Sequence, residues 1–322
     1  MTEPFNDIPV RDDMQTVAFY NVENLFDLKN NKLKHDNDFL PGSIKNWTPK
    51  RYKNKLRKIG YAISNIGQRE TGKHPALIGL AEVENALVLK DLIASKHLKD
   101  CNYNFIHFES KDERGIDVAL LYDTKAFKTT HSEAFEIRLT DTDGTPDYTR
   151  DVLLVSGILD GEKVHVIVNH WSSRREGEKE TEFKRLASSE KVSAIIDTLK
   201  KKDEHAKIIV IGDFNDDPKN NSITRLVDNH NLFNPMETLR SFTRGSVKHR
   251  RQWFIFDQIL ISTNFFKSSK NEYEFFNANI FDEAFLKIHK GPFKGAPYRT
   301  YVGPKYKGGY SDHFPVYMIL KK

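Results

Sequence analysis

Apolar residues recur in short uninterrupted runs along this chain, and each run gives way abruptly to polar residues. In "IIVIGDFNDDP", Ile208, Ile209, Val210 and Ile211 stand together just ahead of Asp213, Asn215, Asp216 and Asp217. β-Branched residues without polar alternation suit a strand buried on both faces, so the pattern predicts an interior strand over 207–212 with a polar cluster at its carboxyl end. "VAFYNVENLFD" predicts a strand from Val17 that Asn21 and Glu23 end, and "PALIGLAEVEN" predicts another ending at Glu82 and Glu84. Between them, Thr48 is a natural N-cap, Pro49 fits the first turn, and apolar residues follow at helical spacing through Ile66. Strand, helix and strand form a βαβ unit, and helical periodicity resumes over 85–98.

The pattern then repeats. "GIDVALLYD" is strand-like, and "DVLLVSGILDGEKVHVIVNHW" reads as a hairpin turning at Asp160-Gly161. A long helical segment over 180–201 leads into the 207–212 strand. Two such halves predict an α/β protein, with two sheets facing each other and helices outside. Further strands are expected at 254–261 and 314–320. The stretch 265–310, rich in Lys, Gly, Pro and aromatics, reads as a long irregular segment of the kind that carries function. Residues 1–14 read as a loose polar arm. No composition break divides the remainder, so 15–322 is expected to form one domain.

Composition changes this picture little. The 322 residues carry 50 Lys and Arg against 45 Asp and Glu, a formal charge of +5 that permits a polyanionic partner without demanding one. A lone cysteine, Cys101, excludes an internal disulfide and a cysteine-based zinc cluster. The polar start lacks a signal peptide and no run reaches a membrane span of roughly 18 apolar residues. The expectation is a cytoplasmic protein, or a secreted one already relieved of its signal. A monomer with neither a membrane nor a stable protein partner is expected.

The polar residues that follow the apolar runs carry the chemistry. They are Asn21, Glu82, His170, Asp213 with Asn215, Asp257, and Asp312 with His313. Each alone reads equally well as a turn-forming acid or a structural histidine. Asp257, placed inside a strand between Phe256 and Ile259, needs a partner because a lone buried carboxylate is costly, and a histidine would serve.

In order along the chain, "FYNVENLF", "LAEVEN", "VNHW", "GDFNDDP", "FDQILIS" and "YSDHFPV" resemble the blocks of the endonuclease/exonuclease/phosphatase superfamily with the deoxyribonuclease-I-like fold. The resemblance implies a four-layer α/β/β/α sandwich. It implies Glu82 as principal ligand of Mg²⁺ or Mn²⁺, with Asn21 and Asp312 nearby, since hard cations take oxygen ligands. It implies that Asp213 aligns or deprotonates an attacking water and that Asn215 donates to the phosphoryl oxygens. His313, held by Asp257, and His170 would contact the scissile phosphate and bring positive charge or protons to it. No serine or cysteine nucleophile belongs to the pattern, so direct attack by water is implied.

Arg114, Arg174 and Arg175 flank these blocks and either clamp phosphate through forked donors or are solvated charges. "PYRTYVGPKYKGGY" mixes aromatics with Arg299 and lysines, which would stack and steer bases or simply cover the core. The implied activity is that of a metal-dependent phosphodiesterase with nucleic acid as substrate. Alternatives of the same superfamily are a phosphatase and a sphingomyelinase-like enzyme. The phosphatase pattern expects a Trp-Cys-Asp-Arg run where this chain has "FIFDQIL", and the sequence offers no membrane-facing apolar helix. A non-catalytic binding protein with this fold would predict gaps in the residue set, and every position is filled.

Overall fold

The computed structural model describes residues 8–32, 34–140, 144–249, 251–266 and 271–322. Two six-stranded sheets dominate it. The first runs in the order Glu274–Ile280, Val316–Lys321, Met14–Leu25, Leu77–Val83, Asp117–Asp123 and Tyr103–His107. The second runs Leu232–Phe233, Asp257–Ser262, Lys207–Asp213, Glu162–His170, Val152–Leu159 and Phe127–Phe135. Each sheet is built around one parallel pair. Met14–Leu25 pairs with Leu77–Val83 across the helix Pro49–Asn65, and Glu162–His170 pairs with Lys207–Asp213 across the helix Glu182–Lys202.

The run Ile208 to Ile211 explains how the layers stack. With period two along a strand, Ile209 and Ile211 turn toward the first sheet, while Ile208 and Val210 turn toward Val192, Ile195 and Ile196 of the helix Glu182–Lys202. All four are fully buried, as a strand between two cores must be. Gly79 shows how closely the sheets approach, because a Cβ there would lie 2.7 Å from Ile211 Cδ1. On the far side of the first sheet pack Leu56, Ile59 and Ile63 of the helix Pro49–Asn65. Thr48 caps that helix by accepting from the Arg51 backbone N–H at 3.4 Å. The layers are therefore helix, sheet, sheet and helix, the α/β/β/α sandwich. No helix among the described residues is long and apolar enough to cross a membrane.

Several boundaries differ from the sequence pattern. The first strand begins at Met14, which is buried and pairs with Lys321; of the arm expected over 1–14, residues 1–7 lie outside the described residues. It also continues past Asn21 to Leu25 through a register shift. The helix expected over 85–98 is Ala86–Ile93. Asp257 opens its strand instead of lying within it, because Gln252–Phe254 pairs back on Val247–His249 as a separate hairpin. The 265–310 stretch contains Glu274–Ile280, an edge strand whose register shifts between Phe275 and Asn277, which breaks its period. Tyr103–His107 and Phe127–Phe135, also edge strands, show no apolar run that would have marked them.

Candidate active site

Register places the second sheet's contribution. Asp213 ends its strand and lies directly beside both His170, which ends the neighbouring strand, and Asp257, which opens the next. Residues opposite one another in adjacent strands share a face. Asp213 lies two residues beyond Ile211, so all three side chains point into the space between the sheets.

The first sheet answers with Asn21, whose Nδ2 donates to Asp213 Oδ2 at 2.9 Å across that space. His313 arrives on the segment ahead of the last strand, where Val247 bridges to it and Ser311 Oγ, itself bonded to the Asn21 carbonyl at 2.6 Å, accepts its backbone N–H. Its Nδ1 lies 2.7 Å from Asp257 Oδ2. Nε2 of His313 and Nε2 of His170 lie 3.9 and 3.7 Å from Asp213 Oδ2. Asp213 is thus flanked by two imidazoles. Its other oxygen accepts the Asn215 N–H at 3.0 Å.

Backbone strain gathers at this end of the sheets. Glu23, Asn24, Glu82 and Asn215 all have left-handed φ between 50° and 65°, a region that costs a non-glycine residue of order 1 kcal/mol or more. The strand registers break between Asn21 and Leu25 and between Ala81 and Val83, so Glu82 stands in a bulge that re-aims its carboxylate. Its Oε2 accepts the Asn24 N–H at 2.8 Å and lies 3.9 Å from Arg114, while Oε1 accepts no hydrogen bond from the described residues. Asp312 Oδ2 receives Arg299 Nη2 at 2.6 Å. Charges on Glu23, Asp312 and Glu82 all act on Lys55 and Arg299, which places these carboxylates in one electrostatic neighbourhood.

Protonation follows from burial and neighbours. Burial pushes Asp213 up to about 6, His313 countering it. Burial also works against a charged His313, but the Asp257 and Asp213 carboxylates outweigh it and hold the imidazolium well above the usual histidine range. His170 goes the other way. Burial, then the charges of Arg150 and Arg114, keep it well below that range. Of the positive charge or protons expected from the two histidines, the charge is favoured on His313, while burial and the two arginines favour a neutral His170. Burial and Asp312 lift Glu23 to about 7, while His313, Arg299 and Lys55 overcome burial to lower Asp312.

The flanking arginines divide. Arg174 spends its donors on the protein, on the Asn215 carbonyl at 2.6 Å, Asp216 at 2.6 Å, Asn220 at 2.9 Å and Glu178 at 2.9 Å. The phosphate clamp expected of it is thereby replaced by a hold on the Asn215 loop. Arg299 is likewise committed to Asp312. Arg114 reaches Asn24 Oδ1 at 2.7 Å at the rim, and Arg175 is exposed with no partner among the described residues. Asn215 Nδ2 donates to the Trp171 carbonyl at 3.0 Å, which leaves one amide hydrogen for another acceptor.

Several residues escaped the sequence reading. Glu23 accepts the Thr300 N–H at 2.5 Å and pins the 298–311 segment to the site, with Lys55 Nζ on Thr300 Oγ1 at 2.5 Å. Lys55 was visible as a lysine three residues after Tyr52 on the apolar face of its helix. Arg150, buried and bonded to Asp112 at 3.1 Å and to the Trp171 carbonyl at 2.8 Å, was visible as a charge just ahead of an apolar run.

Two donor sets bear on a metal. Among the described residues, Asp213, Asp257 and His313 offer ligand atoms within 4.8 Å of one another. With His313 cationic and bonded to Asp257, that group reads as a proton network. Glu82 Oε1, which accepts no hydrogen bond from the described residues, is an oxygen donor of the kind a hard cation takes, whereas Asn21 Oδ1 accepts the Glu23 N–H at 3.0 Å and Asp312 Oδ2 holds Arg299.

The fold has close parallels. The chain superimposes on an endonuclease/exonuclease/phosphatase family protein from Bacteroides thetaiotaomicron with a TM-score of 0.60 at 17% identity, over 95% of this chain and 97% of that one. The mannosyl-6-phosphatase of the same organism matches at TM-score 0.58 and 18% identity, covering 96% and 100%. TDP2 of D. rerio, complexed with single strand DNA product, matches at 0.57 and 14%, covering 97% and 100%. No curated protein matches the sequence. The sequence model of the Endonuclease/Exonuclease/phosphatase family matches residues 16–322. Since that match covers both sheets but for the first two residues of the first strand, the chain belongs to this family.

Proposed function

We propose that the chain is a metal-dependent phosphodiesterase that uses water as its nucleophile and a nucleic acid as its substrate. The buried chain Asp257–His313 beside Asp213 supports this most, because it sets an imidazolium and a proton-accepting carboxylate at one spot between the sheets. A phosphodiester resists attack because its anionic oxygens repel a nucleophile. Protonated His313 offsets that charge, and Asp257 fixes which ring nitrogen faces the substrate. Asp213, steadied by Asn21 and the Asn215 N–H, orients the water and accepts its proton. Neutral His170 adds a hydrogen bond to the phosphoryl group, as does the remaining amide hydrogen of Asn215.

Glu82, Asn21 and Asp312 would hold the cation. Bound Mg²⁺ or Mn²⁺ would supply charge neutralisation for the phosphoryl and leaving oxygens. The test is hydrolysis of single- and double-stranded DNA, RNA, inositol phosphates, sphingomyelin and bis(p-nitrophenyl) phosphate, with Mg²⁺ and in excess chelator. Metal-dependent cleavage of a nucleic acid is expected. Cleavage only of a phosphomonoester, or full activity in chelator, would overturn the reading.

A further inference from the structure

Two stretches of the chain carry no acidic residue, Thr238 to Phe256 and Ala284 to Ser311, and together they hold eleven lysines and arginines. Both adjoin the catalytic centre. Val247 bridges to His313, the Ser246 carbonyl accepts the Phe314 N–H at 2.7 Å, and Ser246 Oγ accepts the Asp257 N–H at 3.2 Å. Where the stretches meet they wall a groove of about 330 Å³. Its one acid, Asp282, is already neutralised by Arg244 at 2.9 Å and Lys287 at 2.7 Å. Lys248, Arg251 and Lys294 have no acidic partner among the described residues. Lys248 lies over the Trp253 ring at 5.1 Å, and Arg251 and Lys294 are exposed.

Apolar rings stand out in this cationic setting. Phe242, on the turn closed by the Ser241–Arg244 bridge, is 103% exposed, and Phe293 is 57% exposed. Unspent cations spaced along a groove with a bare ring at its rim match the two needs of an unpaired nucleic-acid strand, phosphate neutralisation and base stacking. A paired duplex has no free base for Phe242.

We propose that this groove is the docking track for a single-stranded segment of the substrate, with backbone phosphates on Lys248, Arg251 and Lys294 and a base stacked on Phe242. This inference rests on the phosphodiesterase reading for the identity of the polymer, and on the groove's own residues for its strandedness.

The test measures binding of a fluorescent oligothymidylate to the whole chain in excess chelator, alongside Mg²⁺-supported hydrolysis of bis(p-nitrophenyl) phosphate, a single diester with no flanking nucleotides for the groove to hold. Phe242→Ala is expected to weaken oligonucleotide binding roughly tenfold, the scale of one lost base stack. The combined Lys248→Gln, Arg251→Gln, Lys294→Gln variant is expected to lower the log–log salt slope by about 2, for three phosphates on a single strand. Both should hydrolyse the small diester as the unaltered chain does, which also reports an intact fold. Unchanged oligonucleotide affinity in both variants would overturn the proposal. So would tighter binding of duplex that ignores Phe242→Ala, or binding of anionic phospholipid vesicles, and not of oligonucleotide, through these residues. If the unaltered chain binds oligonucleotide through the groove yet hydrolyses no diester, the groove stands and the phosphodiesterase reading falls.

Discussion

Asp257 Oδ2 lies 2.7 Å from His313 Nδ1, although the residues are 56 positions apart and only Asp257 belongs to a strand of the two large sheets. The contact joins the first residue of one strand to the approach of another, and it is buried. It fixes the ring and keeps it charged. Asp257→Asn should therefore lower turnover roughly a hundredfold or more while substrate affinity holds, the pattern of a lost positioning carboxylate. A rise in KM with turnover unchanged would contradict the assignment.

Asp213→Asn and His313→Ala act on the groups that face the reacting phosphate. Each should cost roughly a hundredfold or more in turnover, with oligonucleotide binding retained. Near-normal turnover in a folded variant would remove that residue from the mechanism.

Glu82 stands on a strained bulge with one carboxylate oxygen that accepts no hydrogen bond from the described residues, a placement that suits a cation ligand. Glu82→Gln removes the charge. It should raise the Mn²⁺ dissociation constant at least about tenfold by calorimetry, independently of any assay of activity. Unchanged Mn²⁺ affinity would direct attention to Asp213 and Asp257 instead.

Arg174 and Arg175 are neighbours with opposite prospects. Arg174→Gln breaks a largely buried pair with Asp216, which keeps Arg185 at 2.7 Å, and should cost about 2 kcal/mol of stability in denaturant melts. Arg175→Gln should change stability by no more than about 0.5 kcal/mol. If it meets a backbone phosphate, it should reduce the salt slope of binding by about 0.7 to 0.9. Exchange of these two phenotypes would reverse the roles given to them.

His165 supplies a pH dependence remote from the site. It is buried with Nδ1 2.7 Å from Ser156 Oγ, and burial followed by Lys163 lowers it to about 4. The unfolded chain binds this proton near pH 6.5 and the folded chain only near 4, so the contribution is whole above 6.5 and is lost as pH falls to about 4. The loss amounts to roughly 3 kcal/mol. His165→Gln should flatten that part of the stability curve, and an unaltered acid limb would show that other groups govern it.

Much of this protein is written in its order of residues. The unbroken run Ile208 to Ile211 announces a strand between two cores, because no polar side chain interrupts either face. Thr48 and Pro49 mark a helix start by local hydrogen bonding and fixed φ. The polar residues at strand ends name the candidate chemistry, since strand ends border the space where the layers part. Sequence could not say that His170, Asp213 and Asp257 stand in one row, because strand register depends on partners far along the chain. Nor could it say that Arg174 is held by Asp216 while Arg175 has no partner among the described residues, or that His313 favours the charged form while His170 favours the neutral one. Those outcomes follow from burial and from charges that only packing brings within a few ångströms, and packing is a property of the whole fold.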